Sequence, residues 1–410
     1  ISLKPPYCLS WGTNFRIIAN ISSDLRQYGV PFYGAGWVPY NHVRSKLTSQ
    51  EKIEEDNKED KDPTQSKDDE ISTSLNYVVL AGGGGEGRSG IPNAVVVSHV
   101  DFASNSLSHQ PVVMLRTGSD LPYRMTVHPR GDGIICALQQ SCRLFEWEEL
   151  EGNEVHKLSV KVSEKVLTQL KDVGQQLALT FNSEGSELAV GGEDGSLRVF
   201  KWPSMEIILN EAQAHSSIKD LDFSCDGKFL ISLGSGLCRI WDVTSSKVVA
   251  SLAKGNDEIF AFCRFSQIND RNPVLYIAVV TDHGGSILTW NTSTWKRMRS
   301  KRVVREAISA FNVSADGKFL AVGTVGGDLF IINSYNMRVQ MTVKKAHLGL
   351  VTALTFSHDS RALISASLDS SARVTLVKDT KKSGGISWLI VFMVLVAIAV
   401  YFMKEKGIIP

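Results

Sequence analysis

Along most of the chain, short apolar runs alternate with turns rich in glycine, aspartate and serine, and the alternation repeats. Residues 177–202, 218–242, 308–332 and 351–377 show it most clearly. In each, a run ending in Phe or Val is followed by a Ser-x-Asp-Gly type turn. A second run of small and apolar residues, a Gly/Asp turn and a third run then close the unit. Weaker copies occupy residues 123–147 and 260–290. Runs this short and this rich in β-branched residues predict strands. The pairs Glu184-Gly185, Asp226-Gly227, Asp316-Gly317 and Asp194-Gly195 sit where tight hairpins need them. Phe181, Phe223, Phe265, Val313 and Phe356 mark one position in successive copies, at a period of about 40 to 50 residues.

That period is the blade length of a WD-repeat β-propeller, and Trp241-Asp242 is the literal signature dipeptide. His215 and His347 precede first strands, where the repeat keeps a structural histidine, and Asp369 is expected to bond His347. Six repeats plus residues 28–117 make seven blades. Strands of the first blade are expected at 33–38, 75–80 and 94–100. A ring must also close so that no sheet edge stays open, and residues 15–21 are expected to add the last outer strand. The fold class is all-β, a seven-bladed propeller over residues 28–378, followed by one C-terminal transmembrane helix. Residues 1–27 form an N-terminal segment outside the propeller domain, and the closing strand is the one element expected in it.

Two segments interrupt this pattern. From Glu51 to Glu70 ten acidic residues face four lysines with almost nothing apolar, so 46–74 is expected to be a disordered insertion in the first blade. Residues 386–402 are uncharged and apolar throughout. As a helix, these seventeen residues span about 26 Å, close to the core of an endoplasmic reticulum bilayer. Trp388 and Tyr401 lie near its ends as interface aromatics do. The expected map is therefore a juxtamembrane linker at 379–385, a membrane span at 386–403 and a short lumenal tail at 404–410. Arg373, Lys378, Lys381 and Lys382, set against Lys404 and Lys406, favour a cytosolic propeller.

Composition changes this picture little. A formal net charge of +1 gives no global attraction to nucleic acid. The six cysteines have no C-x-x-C spacing and read as buried thiols in a reducing compartment. No G-x-S-x-G or H-E-x-x-H motif is present, and an enzyme of covalent chemistry is not expected. One local cluster stands out: Lys296, Arg297, Arg299, Lys301, Arg302 and Arg305. Such cations either guard a sheet edge or dock on anionic lipid.

The chemistry concentrates between Leu80 and Asn93, where Gly82, Gly83, Gly84, Gly85, Gly87 and Gly90 surround Glu86. Gly82-x-Gly84-x-x-Gly87 fits a dinucleotide fingerprint, but that motif requires a helix to start at the glycines. Here Pro92 and the β-branched run 94–97 follow, which predicts a strand. Arg88 likewise stands where a triphosphate-binding loop needs lysine. A glycine-rich connection between strands, presenting backbone to a partner, is the remaining reading.

A seven-blade WD propeller, a C-terminal apolar segment and the loop Ala-Gly-Gly-Gly-Gly-Glu-Gly-x-x-Gly-Ile-Pro-Asn together resemble one family. It is the endoplasmic-reticulum exchange factors for the Sar-type GTPase of the COPII coat, the prolactin regulatory element-binding protein family. The resemblance implies promotion of GDP release at the start of vesicle budding, with the GTPase, the endoplasmic reticulum membrane, coat components and membrane-protein cargo as partners. It implies that Glu86, Ile91, Pro92 and Asn93 contact the GTPase, Ile91 as a wedge and Asn93 as a donor and acceptor. It also implies a potassium ion held by backbone oxygens of Gly82, Gly83, Gly84, Gly85, Gly87 and Gly90. The family includes a plant branch of non-catalytic facilitators for exit of phosphate transporters, which is the alternative.

Overall fold

The structure is a computed structural model that describes residues 25–56, 75–85, 89–149, 158–267, 273–377, 392–393 and 395–398. Among these residues the strands form seven antiparallel sheets, the blades of a propeller. The chain enters through β1 (Leu25–Gln27) and begins the first blade with β2 (Phe32–Trp37). A helix, α1 (Tyr40–Asp56), precedes β3 (Asn76–Gly82) and β4 (Asn93–Asp101). Two short strands, β5 (Ser106–Leu107) and β6 (Val113–Gly118), both pair with β4. Five four-stranded meanders follow, and the seventh blade starts with Val351–Phe356, Ala362–Ser367 and Ser371–Leu376.

The turns supply the change of direction. Gly185, Gly227 and Gly317 each take φ between 63° and 75°, and each N–H donates to the residue three positions back. Second strands lie between neighbouring blades and are covered on both faces, so they read as unbroken small and apolar runs: Ile134–Ala137, Phe319–Thr324 and Ala362–Ser367 are buried at every position. The core is a set of seams between adjacent blades. Val78, Leu80 and Val96 of the first blade meet Ile364, Ala366 and Val374 of the seventh. Each such Val, Leu or Ile contributes about 1.5 to 3 kcal/mol on burial.

Closure uses the N-terminus, by residues nearer the first blade than expected. β1 is the outer strand of the seventh blade, with Leu25 opposite Arg373 and Gln27 opposite Ser371. Its end lies beside the start of β2, so the same short stretch joins the outer edge of the last blade to the inner strand of the first. Thr352 Oγ1 donates to Phe32 O at 2.6 Å and Trp37 Nε1 to Thr355 O at 3.1 Å, fastening the seam. The expected closing residues 15–21 lie outside the described residues. All seven sheets fall within residues 25–376, so the ring is complete in that compact unit.

The acidic insertion differs from expectation. Residues 46–56 belong to α1, and 57–74 lie outside the described residues. Val43 and Leu47, four apart, share one helix face and pack against the seam of the first two blades. The run is also rich in helix-favouring Lys, Glu and Gln. Average composition concealed that two-residue apolar stripe.

In the C-terminal unit, 377–410, the residues described beyond Val377 are 392–393 and 395–398, which are helical and exposed. The span expected at 386–403 lies mostly outside the described residues. Among the described residues no helix is long and apolar enough to cross a membrane.

Candidate partner-binding loop

The glycine loop joins β3 to β4, and strand β4 follows it directly, so the fingerprint glycines open no helix. Both strands are buried between blades, which makes the loop's two roots rigid. Gly83 N–H donates to Pro31 O at 2.9 Å, tying the entry to the connection before β2. A side chain at Gly83 would collide with Asn93, and Gly85 has φ of 77°, which disfavours any residue with a Cβ.

Asn93 organises the loop. Its side chain is 3 % exposed. Asn93 Oδ1 accepts the Gly85 N–H at 2.9 Å. Asn93 Nδ2 lies 3.1 Å from Gly118 O, 3.1 Å from Ser119 O and 3.3 Å from Gly85 O. The amide nitrogen carries two protons, so the three carbonyl oxygens cannot each receive one of their own. In the free loop the Asn93 amide that was expected to meet a partner is engaged within the chain. Its polar atoms face inward and clamp the loop to the turn after β6, because the register puts Asn93 opposite Gly118. That turn is itself held by Thr117 Oγ1 donating to Asp120 O at 2.6 Å and by an Arg143–Asp120 ion pair at 3.0 Å.

Beyond this clamp the loop tip is open. Ser89 and Gly90 are exposed, and Ile91 is 38 % exposed, an apolar side chain at the rim. Pro92 is half-buried and fixes the backbone between Ile91 and the clamp. Glu86 and Gly87 lie outside the described residues. Gly118 and Ser119 were missed by sequence reasoning. The signal available was the Gly118-Ser119-Asp120 turn, which nothing linked to a loop more than 25 positions earlier.

No cluster of three His, Cys, Asp or Glu residues among the described residues could hold a metal ion. The histidines serve the scaffold. His347 is fully enclosed, with Nδ1 2.6 Å from Ser371 Oγ and Nε2 2.7 Å from Ser365 Oγ. Asp369 stands 3.9 Å from Nδ1, so the expected direct bond is relayed through Ser371, and the carboxylate instead accepts the Leu348 and Ser371 N–H groups. Burial lowers the His347 pKa to about 4. His215 Nε2 meets Ser232 Oγ at 2.8 Å, to which Trp241 Nε1 also donates at 2.8 Å. Cys136, Cys142, Cys238 and Cys263 are buried free thiols whose pKa burial raises, to about 12 at Cys142.

The chain is 54% identical over 399 residues to SEC12-like protein 2 of Arabidopsis thaliana, an alignment covering 95% of this chain and 98% of that protein. The chain belongs to the SEC12 family. SEC12-like protein 1 of Arabidopsis thaliana is 32% identical over 308 residues, covering 73% of this chain and 76% of that protein. The guanine nucleotide-exchange factor SEC12 of Mus musculus is 28% identical over 342 residues, covering 70% and 79% respectively. The family described as WD domain, G-beta repeat matches residues 169–201, 208–242 and 338–375. In this SEC12-family chain those matches fall in the third, fourth and sixth to seventh blades, so the glycine loop belongs to a part of the ring that the general repeat does not describe.

Proposed function

We propose that the chain is a guanine-nucleotide exchange factor for a Sar-type small GTPase, acting at the endoplasmic reticulum membrane to start COPII budding. The observation that carries this reading is the clamped loop: Asn93 locks the glycine backbone from inside while Ile91 stands outward at the rim. A loop ordered before binding loses less entropy on association. Family membership and the exchange activity stated in the name of the mouse relative support the same reading.

Exchange needs no covalent step. The loop binds the nucleotide-free GTPase more tightly than its GDP form, and by linkage GDP is weakened by the same factor. Ile91 is 38 % exposed, and burying that remainder against the GTPase contributes about 0.6 to 1 kcal/mol, a factor of about 3 to 5. Glu86 is proposed to contact the GTPase, and Asn93 to act through the loop's shape. A potassium ion held by backbone oxygens of Gly82, Gly83, Gly84, Gly85, Gly87 and Gly90 would supply positive charge that fixes the glycine run. The Gly85 carbonyl of that set lies with those of Gly118 and Ser119 within 3.3 Å of Asn93 Nδ2, and with no cluster of three His, Cys, Asp or Glu among the described residues such oxygens suit a singly charged cation.

The apolar segment 386–403 is proposed as a single membrane anchor. Phe392, Met393, Leu395 and Ile398 point in several directions around a helix and are all exposed, which suits lipid on every side. The test is release of fluorescent GDP from a Sar-type GTPase. Residues 25–378 should accelerate it, and Ile91→Ala should abolish most of the acceleration with no change in fold. No acceleration by the intact ring would leave the facilitator role.

A further inference from the structure

The outer strand of the fifth blade, Lys296–Val304, differs from every other outer strand described. It carries Lys296, Arg297, Arg299, Lys301 and Arg302, all exposed, with Arg305 just beyond. The outer strands Leu158–Val162, Glu206–Glu211, Lys247–Ala253 and Val339–Val343 carry at most one cation each. Guarding a sheet edge against pairing therefore does not require this density of charge in this ring. Arg297 is neutralised by Glu258, at 2.5 and 3.0 Å. Among the described residues no ion pair engages Lys296, Arg299, Lys301, Arg302 or Arg305. In a chain whose formal net charge is +1, this is a strongly local field.

Next to the strand lies a cavity of about 400 Å³ lined by Arg302, Arg305 and Lys344 together with the carboxylates of Glu306 and Asp328. Asp328 is paired with Lys344 at 2.6 Å and Glu306 accepts the Gly326 N–H at 3.2 Å, so Arg302 and Arg305 outnumber the one carboxylate without a lysine partner and the balance stays positive. Met298, 52 % exposed, adds an apolar foot amid the cations. The neighbouring Trp295 is turned against Phe229, ring centroids 5.2 Å apart, so the ribbon offers no free aromatic platform on which nucleic-acid bases could stack.

The geometry points to a docking surface for the anionic phospholipid headgroups of a bilayer, with lipid phosphate entering the Arg302–Arg305 cavity. The occupant follows from charge complementarity and from reach. Nine residues lie between Leu376, where the ring ends, and Ile386, where the apolar segment begins, a contour of at most about 35 Å. This last argument rests on the membrane anchor proposed above. Cations that come within a Debye length of an anionic surface are drawn to it.

The experiment is flotation of residues 1–378 with vesicles of phosphatidylcholine alone or with one-third phosphatidylserine. The ring should float with the anionic vesicles at low salt and be released by salt, and should ignore the neutral ones. Arg299→Glu, Lys301→Glu and Arg302→Glu together should lower partitioning about 100-fold, at about fivefold per charge removed. The milder Arg302→Gln with Arg305→Gln, which leaves the strand's other cations in place, should lower it by about 25-fold on the same reckoning. Equal binding to both vesicle types, unchanged binding by both variants, or preferential capture by single-stranded RNA at equal phosphate would overturn the inference. GDP release measured in solution without vesicles separates the two readings: normal exchange without lipid binding removes this inference alone, and lipid binding without exchange removes only the exchange reading.

Discussion

Replacing Asn93 with alanine removes a clamp and touches nothing at the rim. The substitution deletes an acceptor for Gly85 N–H and a donor to the Gly118 and Ser119 carbonyls, inside a site that is 3 % exposed. Each hydrogen bond lost contributes about 1 kcal/mol net, so three contribute about 3 kcal/mol, less whatever water recovers in the space left. That energy holds the loop and not the ring, because the seams of the blades do not involve it. The ordered population of the loop should fall, and with it apparent affinity for the nucleotide-free GTPase, by about 10- to 100-fold. Ile91→Ala should lower exchange less, by about 3- to 5-fold, without loosening anything. The assay that separates them is amide hydrogen exchange at Gly85 read beside GDP release. Asn93→Ala should lose both Gly85 protection and activity, and Ile91→Ala only activity; an Asn93→Ala protein that keeps both would refute the clamp.

Other outcomes follow from the same geometry. Deleting residues 25–27 removes the outer strand of the seventh blade and should lower the urea midpoint clearly, whereas deletion of residues 1–14 should not. Ile364→Ala, at the seam of the first and seventh blades, should cost about 2 to 5 kcal/mol in the same assay. His347 has a folded pKa of about 4 against an unfolded value of about 6.5, so the unfolded chain binds the extra proton between those values and stability falls as pH drops through that window. The stability of the wild type relative to His347→Asn should therefore decline by about 3 kcal/mol from pH 7 to pH 4. Replacing potassium with choline at equal ionic strength should reduce both Gly85 protection and GDP release; no change in either would exclude the ion.

The sequence made the ring legible because its turns are chemically marked. Asp226-Gly227 and Asp316-Gly317 fix where strands stop, and the double-sided burial of second strands leaves unmistakable apolar runs. The helix α1 was hidden because its apolar face amounts to Val43 and Leu47 within a charged stretch. The glycine loop was legible as a connection between two strands, but the direction of Asn93 was not. Strand β4 is buried on both faces from Asn93 to Ser98, so alternation carries no information about which way a polar side chain at its start must turn. The relay through Ser371 escaped for a related reason: a hydroxyl two residues from Asp369 intercepts the histidine, and spacing alone does not distinguish a direct bond from an intercepted one.

The central claim is that an inwardly clamped, outwardly apolar loop on a closed ring forces a small GTPase to give up its nucleotide. Its most direct measurement is the affinity of residues 25–378 for a Sar-type GTPase stripped of nucleotide against the same GTPase loaded with GDP. The account predicts tighter binding to the empty form by at least about 10-fold, reduced in Ile91→Ala. Equal affinity for the two forms would contradict it.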